Sequence, residues 1–85
     1  MAYIVQFKPL ALRQLEKLPR DAQKKLVAKI EALRDDPFPA GCKKMAALSD
    51  TWRARVGAYR VVYQVHQKIL LILVLTVGHR KDVYR

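Results

Sequence analysis

The sequence predicts an α+β fold: a small antiparallel-rich β-sheet with an N-terminal α-hairpin packed on one face, in the order βααβββ. Three observations predict it. Alanines and leucines fall at helical spacing from Ala11 to Leu33, with one proline between two stripes. From Trp52 onward the apolar residues alternate with period two around turn residues. Helical and strand-like segments are segregated along the chain rather than alternating, which favours α+β over a parallel α/β sheet.

Each element follows from its residues. Tyr3 to Phe7 (YIVQF) is a short β-prone run, and Pro9 suits the first turn of a helix. Ala11, Leu12, Leu15 and Leu18 continue that helix until Pro19 ends it. A second helix starts near Arg20 and Asp21, with Ala22, Leu26, Ile30 and Leu33 on one stripe and Val27 beside it. Lys24, Lys25 and Lys29 take its wetter side, and Asp35, Asp36, Pro37 and Pro39 stop it. Phe38 to Asp50 reads as a loop. Its Cys42, Lys43 and Lys44 are expected to be a surface connector rather than a reactive patch, since no His or second Cys lies nearby in sequence. Trp52 to Val56 and Tyr59 to Val65 are strands joined by Gly57-Ala58, and His66 to Lys68 is a second turn. Ile69 to Val77 is apolar on both faces and reads as a strand buried on two sides, followed by a basic tail from Gly78 to Arg85.

The bulk properties narrow the function. The 85 residues suit one domain, 1–85, and 52% hydrophobic content suits a folded one. A single cysteine, Cys42, allows no internal disulfide and fits a reducing, cytoplasmic setting. The opening MAYIVQFK has no basic segment followed by an apolar one, so no secretory leader is expected. The longest apolar run, Ile69 to Leu75, is far short of the roughly 20 residues that span a bilayer, so no membrane partner is expected. Seventeen Lys+Arg against seven Asp+Glu leave a net charge of +10. Such a field favours polyanions.

Where the charge sits matters more than its sum. If Gly57 and Ala58 are the two loop residues of a hairpin, Val56 faces Tyr59 and Arg55 faces Arg60. Side-chain alternation then puts Arg53, Arg55 and Arg60 on one face. Trp52, Ala54, Val61 and Tyr63 point the other way, towards the helices. Like charges opposite one another weaken a sheet. A bound phosphate turns that repulsion into attraction, because guanidinium forks match phosphate oxygens. The alternative is a solvated face whose arginines splay into water. The tail adds His79, Arg80, Lys81 and Tyr84, and His79 is the candidate acid or base near neutral pH. His66, in a turn, is assigned no role. There is no Cys/His spacing for zinc, no Gly-rich phosphate loop and no carboxylate pair in the β half. No metal or cofactor is expected.

These segments resemble a known family. The opening MAYIVQF, the KLP before the second helix, the run L-x-D-x-W-R-A-R-V-G-x-Y-R-V-V-Y-Q-V and the closing V-G-H-R-K-D-V-Y-R are similar to the RelE branch of the RelE/ParE toxin superfamily. The likeness spans essentially the whole chain. It implies the toxin of a type II toxin–antitoxin system: a metal-independent, ribosome-dependent endoribonuclease that cuts messenger RNA in the A site. The implied chemistry is attack of the ribose 2′-OH on the adjacent phosphodiester. Its implied site residues fall on Arg53, Arg55, Arg60, Arg80 and Tyr84, with His79 beside them. Arginine stands at positions 53 and 55 where the best-known RelE has lysine, which disfavours a general-base role there, since arginine effectively cannot lose its proton. The implied partners are a cognate antitoxin, the ribosome with its 16S rRNA, and the message, with operator DNA contacted only through the antitoxin. Two alternatives stay open: a ParE-like poison of DNA gyrase, and a non-enzymatic basic module that binds RNA or the ribosome.

Overall fold

The computed structural model describes residues 2–79. The elements run β1 (Ile4–Phe7), α1 (Pro9–Glu16), α2 (Arg20–Leu33), β2 (Lys43–Lys44), β3 (Thr51–Val56), β4 (Tyr59–His66) and β5 (Leu71–His79). The sheet order is β1-β5-β4-β3-β2. The chain starts at one edge and crosses one face as the helical hairpin. It then enters the far edge at β2 and meanders back until β5 lies parallel to β1; every other pairing is antiparallel.

The helices form where the apolar stripes lie. Ala11 and Leu15 of α1, with Leu26, Ile30 and Leu33 of α2, pack on Ala54, Val61, Tyr63, Val65, Ile72, Val74 and Val77 of the sheet. Each large side chain so buried contributes roughly 1.5–3 kcal/mol. Pro9 begins α1, as predicted. That helix ends at Glu16, two residues earlier than its stripe suggested. Leu18 packs on the core from the link, whereas Leu12 stays exposed. Gln23 holds the link in place by donating from Nε2 to the carbonyls of Leu18 (2.8 Å) and Glu16 (3.3 Å).

The β half departs from expectation at β2 and along β5. Lys43 and Lys44, read as loop, pair with Arg53 and Trp52 as a two-residue strand. The turn after β4 runs through Leu70, which takes φ +52°, so Ile69 is 66% exposed and β5 starts at Leu71. At its other end β5 continues past Val77 to His79, because Gly78 and His79 still pair with Arg60 and Tyr59. β5 is also buried fully on one face only: Ile72, Val74 and Val77 are buried, while Leu71, Leu73 and Leu75 are partly exposed. The register steps between Val62↔Thr76 and Tyr63↔Val74, so Leu75 is an extra, bulged residue.

β1 covers β5 only as far as Val74, whose carbonyl accepts from the Lys8 N–H (2.9 Å). Beyond it Gln14 of α1 takes over. Its Oε1 accepts from the Val77 N–H (3.0 Å) and the Thr76 hydroxyl (2.7 Å), satisfying the strand edge where β1 stops.

Candidate functional site

The hairpin forms as its turn residues dictate. Gly57 takes φ +59°, while Ala58 does not adopt positive φ. A two-residue loop with positive φ at its first position only is a type II′ turn, whose twist matches the strands it joins. The resulting register is Val56↔Tyr59, Arg55↔Arg60, Ala54↔Val61 and Arg53↔Val62. Ala54, Val61 and Tyr63 belong to the core under the helices. Arg53, Arg55 and Arg60 therefore share the opposite face.

The three arginines differ in depth. Arg55 is exposed and Arg53 half-buried, whereas Arg60 on the central strand is 3% exposed, with Nε and Nη1 shielded from solvent. Its other cross-strand neighbour is Gly78, which has no side chain to cover it. Arginine is rarely this buried and effectively never neutral in proteins. The sheet thus holds a fixed positive charge in a low-dielectric setting, with two more guanidinium groups beside it. An anion docked there would meet charges already in position, stronger than the same charges in water.

Lys43 is the residue that sequence reasoning missed. Its register opposite Arg53 puts it on the arginine face, while Lys44 shares the face of Trp52. Two adjacent lysines in a loop carry no periodic signal, so only strand pairing reveals which of them points where. A cavity of about 260 Å³ at this edge of the sheet is lined by Lys29 of α2, Lys43, Arg53 and Arg55, with Gly41 and Cys42 in its wall.

That wall is anchored to the core. The buried Tyr63 hydroxyl donates to the Pro37 carbonyl (2.8 Å), and Phe38 packs on Trp52 with ring centroids 4.7 Å apart. The Cys42 N–H reaches the Pro39 carbonyl (3.0 Å) with Gly41 at φ +87°, closing a type II turn. Burial, then the neighbouring Cys42, pushes the Tyr63 hydroxyl well above the usual phenol range, so it stays a donor.

His79 lies elsewhere. It pairs with Tyr59, its ring edge-on to the tyrosine at 5.8 Å and 78°. Tyr59 packs against the core on the helix side, so strand alternation puts His79 on the face away from the arginines. It borders a different cavity of about 200 Å³, with Gln14, Lys17 and Leu18. The expectation that His79 joins the arginine cluster is therefore corrected. Arg80 and Tyr84 lie outside the described residues.

The chain is similar to known proteins over nearly its whole length. Residues 5–84 match the family model described as the ParE toxin of the type II toxin–antitoxin system, parDE. Toxin RelG of Mycobacterium tuberculosis is 35% identical over 100% of this chain and 99% of its own length. The mRNA interferase toxin RelE of Escherichia coli is 28% identical over 99% of this chain and 92% of its own. Among solved structures, the archaeal RelE–RelB complex from Pyrococcus horikoshii superposes with a TM-score of 0.84 at 28% identity, covering 96% of this chain and 99% of that one.

Proposed function

The chain belongs to the ParE toxin family of type II toxin–antitoxin systems, on its RelE-like branch; from that premise we propose that it cleaves messenger RNA on the ribosome, with the arginine face of the β3–β4 hairpin gripping the phosphate that is cut. It is a type II toxin with messenger-cleaving activity, and a cognate antitoxin is its partner. No helix of the described residues is long and apolar enough to cross a membrane. A toxin that works on translating ribosomes acts in the cytoplasm.

The observation that carries the reading is Arg60, buried at 3% exposure directly across from Arg55, with Arg53 on the same face. In the proposed reaction the ribose 2′-oxygen attacks the adjacent phosphorus, and the bond from phosphorus to the 5′-oxygen breaks. The products are a 2′,3′-cyclic phosphate and a 5′-hydroxyl; one proton leaves the 2′-OH and one reaches the leaving oxygen. Negative charge gathers on the non-bridging oxygens in the transition state. Arg53, Arg55 and Arg60 stabilise it there, because fixed cations need no reorganisation as the charge develops. Arginine effectively cannot lose its proton, so these three carry charge and not protons. Arg80 is proposed to add a further cation and Tyr84 to stack on a base, as aromatic rings do with splayed single-stranded RNA. His79, on the other face, is not assigned the leaving-group proton.

Primer extension on a translated message tests this. Wild-type protein should give cuts only when ribosomes are present, and Arg60→Ala and Arg80→Ala should lose nearly all of them. Equal cutting of naked RNA would refute the ribosome requirement. Inhibition of purified gyrase in a supercoiling assay, with no new RNA ends, would instead establish the gyrase-poison alternative.

A further inference from the structure

We propose that Lys43, together with Lys29 and Arg53, forms a second phosphate subsite at the β3 edge. It would hold an RNA phosphodiester neighbouring the one that is cut. This rests on the RNA-cleaving reading and extends it.

Four features converge there. First, β2 places Lys43 directly opposite Arg53, as the hairpin places Arg55 opposite Arg60. Two neighbouring rows of the same face thus each set cation opposite cation, which concentrates positive charge along this edge. Second, the cavity of about 260 Å³ at this edge has four cationic residues and no acidic one among its described lining residues. Third, among the described residues neither Lys29 nor Lys43 is paired with a carboxylate; the one ion pair there joins Arg34 and Glu31. Fourth, the wall is held by the Tyr63–Pro37 hydrogen bond, the Phe38–Trp52 contact and the Gly41 turn, so the cavity is set before anything binds.

The geometry suits one occupant. Arg53 and Arg55 are two residues apart on a strand, roughly 6.8 Å at about 3.4 Å per residue. Neighbouring phosphates of an extended single strand are separated by a similar distance. A strand with its cut phosphate held by Arg55, Arg60 and one side of Arg53 would bring the next one between Arg53 and Lys43, and then round the edge towards Lys29. The lysines would fix the register of the RNA without entering the chemistry. They act as compact point charges and read no base.

The phosphodiester could belong to the message or to ribosomal RNA, and the test separates the two. Lys29→Ala, Lys43→Ala, the double variant and Lys43→Arg are measured for binding to a short labelled single-stranded RNA without ribosomes, and to empty ribosomes, across a salt series. If the subsite holds message, each alanine lowers the salt slope on the oligonucleotide by about 0.7, and Lys43→Arg restores it. Loss confined to empty ribosomes identifies ribosomal RNA as the source. In ribosome-programmed cleavage KM should rise several-fold with kcat nearly unchanged, as for lost uniform binding. Unchanged slopes in both arms overturn the subsite, as does weakened antitoxin binding with RNA binding intact. If Arg60→Ala still loses nearly all cleavage, the cleavage reading survives that failure. If wild-type protein cuts nothing, the cleavage reading itself falls. Thermal melting of each variant shows that it is folded.

Discussion

Arg55 and Arg60 face each other across the β3–β4 hairpin, one exposed and the other buried at 3% exposure. The two guanidinium groups concentrate positive charge where the proposed reaction places the phosphate. Replacing Arg60 by alanine should lower ribosome-programmed cleavage by about 10²–10³, the usual cost of one lost transition-state donor. Arg60→Lys keeps the charge but loses the planar fork, and should recover little of that loss. Single-turnover assays measure both, and full activity of Arg60→Lys would show that charge alone suffices.

The turn that sets this register depends on Gly57. No heavy atom would lie within 4 Å of an added Cβ, so its substitution is felt through the backbone alone. At φ +59° in the first position of a type II′ turn an L-residue costs roughly 1–3 kcal/mol. Gly57→Ala should lower the melting temperature by about 4–8 °C per kcal/mol. An unchanged melting temperature would mean that the turn can switch type.

Tyr63 links stability to pH. Its hydroxyl is raised above the ordinary value of 10.0 by burial first and by Cys42 second. The folded state therefore holds this proton more tightly than the unfolded chain does. The contribution is fully present below pH 10 and declines as pH rises above it. Denaturant titrations from pH 8 upward should show stability falling beyond about pH 10, and this component should be missing in Tyr63→Phe. The same variant should lose about 1–2 kcal/mol at neutral pH, because the Pro37 carbonyl loses its donor.

His79 offers the opposite expectation to the arginines. It packs edge-on against Tyr59 on the helix side of the sheet. His79→Gln should leave cleavage within about tenfold of wild type, with the pH–rate profile unchanged in shape. General acid–base groups typically contribute about 10²–10⁴. A fall of that size, with a flattened profile, would return His79 to the chemistry.

The sequence by itself determined the helical hairpin, the segregation of α from β and the arginine face. All three rest on local periodicity: 3.6 residues per turn in one half, two per repeat in the other, and a glycine at the hairpin loop. Tertiary structure alone decided the rest. Leu75 is a bulge hidden in an unbroken apolar run, where every register looks alike. Lys43 gains a face only when two residues of a loop add to the edge of β3. His79 stands next to Arg80 in the chain, yet pairing with Tyr59 turns it away from the hairpin arginines. Proximity along the chain says nothing about the side of a sheet, because that side changes with every residue and is fixed only by the partner strand.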